Sequence, residues 1–523
     1  MIINSTLPGV INKTPLLSTR KAPTQKEKKD TVTIGDSSII DLHILHINDF
    51  HGAIEPYMEP SISTESEVGG IANLKTVIDT ERERDLQGTL LLNAGDLAEG
   101  SMAAYVSKGR IVSDAFKSFK FDAITPGNHD FAWGKDGFSY MVQGMDTPIL
   151  AANIVNTADG TVMEGVKPYT IIEKKGVKIG ILGLDTPETA IRLDPAKVKG
   201  IEFKAAVETA KKYVSELKEK EGVDLIVVTS HLGLPEDEKL AKEVEGIDVI
   251  VGGHTHNKLE EGKKVGNTII VQAGTKGGYL GKLDLQVDTS TKKIVNHTAT
   301  LIPVIASNVT PDEGVQRIIE PYLSDAKKFG SEVMGEAKED IHYSHNSPSK
   351  LTQVLAEAIV RRAGTKIGLC SARTVRGNIS KGTVHKEDLF NAVPFTDENI
   401  LTVDIKGKYI KQYLEDGVKD GAKGIGIPAG ALKCKYDPTR PSGDRVTSLT
   451  IDGKKIDPEA TYHIAINDSI ISKKSFATAE NQRVIGPFQE AFFDYFRTAD
   501  AWDNKIDDRL TMEVGIVLPK LEL

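Results

Sequence analysis

The chain has 523 residues, 39% hydrophobic and 27% charged, a balance that fits a globular protein too long for one ordinary core. Its formal charge of −9 argues against a partner that is a nucleic-acid polymer, and no apolar run approaches the ~20 residues that would imply a membrane partner. Two cysteines, Cys370 and Cys434, exclude a disulfide framework and a cysteine-type zinc site.

In chain order, residues 1–40 mix Pro, Thr, Ser and Lys, and the first thirty hold no aromatic residue, so a disordered N-terminal tail is expected. The early apolar runs are cut by Pro8, Asn12 and Pro15. They offer no secretory h-region, and the expected location is therefore cytoplasmic.

From residue 41, short apolar runs read as buried strands: 41–47, 89–95, 121–127, 177–184, 223–230, 247–253 and 268–274. Helix candidates at 69–85, 101–119, 203–220 and 236–245 lie between them. This β-α-β-α rhythm predicts an α/β domain over 41–305 with helices packed outside. Residues 306–331 read as a connector helix interrupted near Pro321. A helix at 350–364 and shorter strands with Gly, Pro and Asp turns predict a smaller α+β domain over 332–523.

Side chains able to bind metal follow five of these strands. "HINDFHG" supplies Asp49 and His51, and "NAGD" supplies Asp96. "GNHD" supplies Asn128, His129 and Asp130. "TSH" supplies His231, and "GGHTH" supplies His254 and His256. In extended chain, residues i and i+2 point the same way, so Asp49 with His51 and His254 with His256 are expected to share a face. Any one of these residues alone is most simply structural. All five sets, each at the carboxyl end of a strand where α/β sheets gather their ligands, read as one site. Histidine and carboxylate donors without a thiolate suit Zn²⁺, Mn²⁺ or Fe.

This set of motifs resembles the calcineurin-like metallophosphoesterases, and more closely the 5′-nucleotidase and cyclic-nucleotide phosphodiesterase family, over roughly residues 41–515. The resemblance implies a four-layer α/β/β/α sandwich followed by a smaller C-terminal substrate-binding domain. It implies two divalent metal ions, one held by Asp49, His51, Asp96 and His256 and the other by Asp96, Asn128, His231 and His254. Asp96 would bridge them, and a hydroxide shared by the two ions would attack phosphorus in line. His129 would face the phosphate as transition-state stabiliser or as acid for the leaving alkoxide. The nucleotidase pattern Gly-Asn-His-Glu-Phe-Asp has its last Asp replaced here by Ala132, which leaves the neighbouring Asp130 as the carboxylate that could orient His129.

In the C-terminal half the family pattern Asn-x-Gly-Gly-Ile-Arg reads "SARTVR", Pro-Phe-Gly-Asn reads "PFTD", and the Gly-Gly-Asp-Gly turn is replaced by "KKSF". Arg376 and Phe395 are retained as candidate substrate-binding residues. The second stacking position falls on Ser469. Arg373 joins the candidates because the stretch "GLCSARTVRGNISKG" has no acidic residue and fits an anionic ligand. The function implied is hydrolysis of the phosphate esters of nucleotides. The alternatives are a non-nucleotide ester such as a sugar phosphate, and a catalytically weak ligand-binding relative. Family members usually work in the periplasm or outside the cell, against the reading of the N-terminus.

Overall fold

A computed structural model describes residues 38–513, apart from 194–196, 395–397, 420, 423, 472, 499–501 and 503–505. The expected N-terminal tail lies outside the described residues as far as residue 37.

Two sheets face each other in the first half. One has the strand order 293–303, 279–288, 39–47, 89–93, 123–124; the other has the order 263–265, 268–271, 249–252, 225–231, 177–185, 169–174. Strands 39–47, 89–93 and 123–124 run parallel in the first sheet and 268–271, 249–252, 225–231 and 177–185 in the second, whereas 279–288, 293–303, 263–265 and 169–174 join antiparallel. Period-two alternation sorts their side chains. Leu42, Ile44, Leu90 and Leu92 meet Leu225, Val227, Val249 and Val251 in a core between the sheets. The alternate residues Leu45, Ile47 and Leu91 pack under helices Ile71–Arg82 and Arg110–Phe116. Ile226, Val228 and Ile250 pack under helices Ala206–Glu219 and Leu234–Glu243. Each sheet is thus buried on both faces, which gives the α/β/β/α order of layers and explains strands that are apolar throughout.

Two helices differ from expectation. The run 101–119 divides into Met102–Val106 and Arg110–Phe116 because Lys108 and Gly109 take φ of 49° and 80°, a left-handed turn that ends the first helix and starts the second. The break expected near Pro321 does not occur, and Glu313–Gly330 is one helix with the proline inside it. Val315, Ile319, Ala326 and Gly330 are buried along one stripe on both sides of Pro321, so packing holds the helix across the missing N–H. Among the described residues no helix is long and apolar enough to cross a membrane.

The second half holds a five-stranded sheet in the order 426–430, 367–371, 461–467, 399–406, 480–487, and a four-stranded sheet built on 432–436 and 446–451. Helices Lys350–Ala363, Gly407–Val418 and Phe488–Phe496 supply the rest of its core. Met102 inserts into that core from the first half. Tyr105 packs its ring 5.9 Å from Phe329 and 5.8 Å from Phe390. These contacts fasten the short helix beside the metal-binding loops to the second half.

One core residue gives a pH prediction. His46 sits on the central strand opposite Gly281 and is fully buried. A Cβ at Gly281 would lie 2.2 Å from the imidazole, so only glycine leaves room for it. Burial pushes the His46 pKa down to about 3. The folded chain therefore keeps this ring neutral while the unfolded chain protonates it near its ordinary 6.5. The associated stability is complete above pH 6.5 and is lost as pH falls toward 3; linkage puts the loss at about 2 kcal/mol by pH 5. Urea titrations at pH 7 and pH 5 should show a smaller acid shift for His46→Gln than for the parent. An equal shift in both proteins contradicts the assignment.

Candidate metal centre

The carboxyl ends of the parallel strands converge on one site. Asp49 and His51 follow strand 39–47, Asp96 follows 89–93, Asn128 follows 123–124, His231 ends 225–231, and His254 and His256 follow 249–252. Asp49, His51, Asp96, His254 and His256 all have left-handed backbones, with φ of 50°, 50°, 53°, 72° and 56°. Strand alternation, expected from the sequence to put Asp49 with His51 and His254 with His256, is therefore not what places these side chains; tight turns are, and they send His254 and His256 to different donor groups. Asp and His tolerate this region better than most residues, and such strain persists where the surroundings impose it.

Two groups of donors result. Asp49, His51 and His256 form one, and Asp96, His231 and His254 form the other, with the donor atoms of each group within 4.8 Å of one another. His256 Nε2 is 3.2 Å from Asp49 Oδ1, and the Nε2 atoms of His51 and His256 are 3.1 Å apart. Asp96 Oδ2 reaches both groups, lying 3.1 Å from His231 Nε2 and 3.7 Å from His51 Nε2. Asn128 is buried, and its Oδ1 has no hydrogen-bond partner. A buried carbonyl oxygen left unpaired beside clustered imidazoles and carboxylates fits a ligand to a cation. Gly127 makes this close approach possible, because a Cβ there would lie 2.2 Å from Asp96 Oδ1.

Backbone carbonyls set the imidazoles. His231 Nδ1 donates to the Ala94 carbonyl at 2.7 Å, and His51 Nδ1 donates to the Glu99 carbonyl at 2.9 Å, which turns both Nε2 atoms into the site. Asn48, not singled out in the sequence, donates from Nδ2 to Asp49 Oδ2 at 2.7 Å, and its Oδ1 accepts the Ala273 N–H at 2.7 Å. It ties the first loop to the one after strand 268–271. Burial raises the Asp96 pKa, but the positive charge of His231, His129 and His51 outweighs it and holds the carboxyl well below its ordinary range. Burial lowers the pKa of His231, but Asp96 and Asp49 reverse this and raise it to about 10. Positive charge is thus stabilised where the donors meet.

His129 lies at the rim, with its backbone N–H donating to Asp96 Oδ1 at 2.9 Å. The carboxylate beside its ring is Glu99, whose Oε2 is 3.2 Å from His129 Nδ1. Asp130, the orienting carboxylate expected from sequence, does not take that place. It is fully buried and accepts the N–H groups of Leu97 and Gly127, both at 2.8 Å. Burial, then the charge of Asp96, raises its pKa to about 7. The short 3₁₀ turn Asn128–Phe131 sends the adjacent side chains of His129 and Asp130 in different directions. Glu99 carried no periodic signal in the sequence; its one hint was a carboxylate three residues after Asp96.

Asn128 and His129 open onto a cleft of about 680 Å³ whose other walls come from the second half. Arg373 and Arg376 line it, with Ser371 and Ser469. Arg376 donates to the carbonyls of Arg373 and of Val375, the latter at 2.9 Å. Phe395 lies outside the described residues. Lys473, Lys474 and Ser475, from the segment that replaces the family's glycine-rich turn, also line the cleft.

The calcineurin-like phosphoesterase family matches residues 42–258, and the 5′-nucleotidase C-terminal domain family matches residues 333–480. The chain is 28% identical over 457 residues to the endonuclease YhcR of Bacillus subtilis, covering 82% of this chain and 37% of that protein. It is 26% identical to the trifunctional nucleotide phosphoesterase protein YfkN of the same organism, covering 82% of this chain and 32% of the relative. The chain thus spans about a third of the length of these two relatives. Among solved structures, the 5′-nucleotidase precursor of Thermus thermophilus superposes with a TM-score of 0.70 at 25% identity, covering 90% of this chain and 99% of the other. With one family matched over the donor-bearing half and the other over much of the cleft-bearing half, the chain belongs to the calcineurin-like metallophosphoesterases of the 5′-nucleotidase type.

Proposed function

We propose that this protein is a two-metal phosphohydrolase that cleaves phosphate esters, those of nucleotides first among them. The observation that carries the reading is Asp96, whose one carboxylate reaches a donor group on either side at the head of a cleft. Asp49, His51 and His256 would hold one divalent cation and His231, His254 and Asn128 the other, with zinc, manganese or iron suited to these donors. When bound, the two cations supply Lewis acidity toward a phosphoryl oxygen and activate water as nucleophile. The chain supplies the rest. The buried carboxylates and the turns around them fix the donors before substrate arrives. Glu99 beside His129 Nδ1 would orient the ring so that Nε2 faces the leaving alkoxide as proton donor. The cleft wall in the second half would hold the part of the substrate that does not react.

The test is phosphate release by the metal-loaded protein from p-nitrophenyl phosphate, adenosine 5′-monophosphate, a 2′,3′-cyclic nucleotide and sugar phosphates. Release that a chelator removes and added zinc or manganese restores is the expected result. No release from any ester by protein carrying both metals overturns the reading in favour of a binding protein.

A further inference from the structure

The cleft holds a second set of groups that the hydrolytic step does not use. Its carboxylates are already engaged: Asp416 lies 3.4 Å from Lys419, Asp468 accepts the Asn399 N–H at 2.8 Å, and the charge of Glu398 supports Arg376. Arg373, Lys473 and Lys474 line the same cleft, are exposed, and have no acidic partner among the described residues. Beside them Ser475 is only 4% exposed, and its Oγ has no hydrogen-bond partner among the described residues. An unpaired buried hydroxyl costs stability unless a ligand completes it. Tyr413 is the only aromatic residue among the described residues of the lining. It is buried, in a T-shaped contact with Phe476 at 5.6 Å.

We infer that Lys473, Lys474, Ser475 and Arg373 form an anion-binding position, and that the preferred substrates are phosphate esters carrying a second phosphoryl group. The inference rests on the phosphohydrolase reading for the reacting phosphate and adds the group that selects the substrate. Lysine, arginine and hydroxyl donors together match the several oxygens and the double charge of a phosphate. With Asn128 and His129 lining the same cleft, one phosphoryl group at the metal donors and another at Lys473–Ser475 can belong to one small molecule.

Two measurements test it. Metal-stripped protein is titrated with inorganic phosphate by calorimetry. It should bind phosphate with an affinity that falls as salt rises, and the double variant Lys473→Ala/Lys474→Ala should lose that binding while keeping the parent's melting temperature. Metal-loaded protein is then assayed with fructose 1,6-bisphosphate and fructose 6-phosphate. The parent should favour the bisphosphate in kcat/KM by about tenfold or more, a size set by one charge-assisted contact. In the double variant that ratio should collapse toward one through a higher KM for the bisphosphate. Phosphate binding unchanged by the double substitution overturns the inference, as does equal kcat/KM for both sugars in the parent. Phosphate binding to stripped protein reads the cleft alone. It would survive a complete absence of ester hydrolysis, the result that instead overturns the phosphohydrolase reading.

Discussion

Asp96→Asn should lower turnover of p-nitrophenyl phosphate by on the order of 10³-fold or more and reduce the metal content of the protein. The carboxylate is 1% exposed and lies within 3.1 Å of His231 Nε2 and 3.7 Å of His51 Nε2, one from each donor group. An amide keeps the size but removes the negative charge and one of two acceptor oxygens. The oxygen that accepts the His129 N–H can remain, so the loop keeps its shape while the link between the metal positions fails. Metal ions contribute several kcal/mol of charge stabilisation in such sites, and 1.36 kcal/mol is a factor of ten in rate. Mass spectrometry of metals together with the rate checks both halves. A variant that keeps the parent's rate shows that Asp96 is not the shared ligand.

His129→Ala should lower turnover by about 10²–10⁴-fold, the range of a proton-transferring group, with metal content unchanged. Glu99→Gln should act in the same direction but more weakly, by about 10–100-fold, the usual size for a group that orients another. The two are separable by leaving group. Loss of an acid at His129 should be largest for a poor leaving group such as a nucleoside and smallest for p-nitrophenolate, which departs without a proton. Glu99→Gln should follow the same ranking if Glu99 works through His129. A uniform loss across substrates, or loss of metal in His129→Ala, contradicts these roles.

The layers of the fold were legible because strands buried on both faces read as continuous apolar runs, as "TLLLN" and "LIVV" do here. The metal donors were legible because Asp, Asn and His recur after strands that must end at one edge. The means by which they converge was not. Left-handed φ at Asp49, His51, His254 and His256 leaves no mark in a sequence; alternation was the wrong mechanism, and it joined His254 to His256, which the structure divides between the two donor groups. The partner of His129 shows the same limit. Asp130 is adjacent in sequence but turns inward to cap backbone N–H groups, whereas Glu99 reaches the ring from a loop 30 positions earlier. Helix Glu313–Gly330 runs through Pro321 because its buried stripe continues on both sides, which a rule about proline alone does not register. In the second half the departures from the family pattern carried the information. Ser371–Arg376 and Lys473–Ser475 replace glycine-rich turns with cations and hydroxyls, and they line the same cleft in the structure.

Anomalous scattering from crystals loaded with manganese or zinc tests most directly whether Asp96 joins two metal positions. Two peaks about 3.5–4 Å apart are expected, both within bonding distance of the Asp96 carboxylate. One should be completed by Asp49, His51 and His256, and the other by Asn128, His231 and His254. A single peak, or two peaks that do not share Asp96, would contradict the two-metal site.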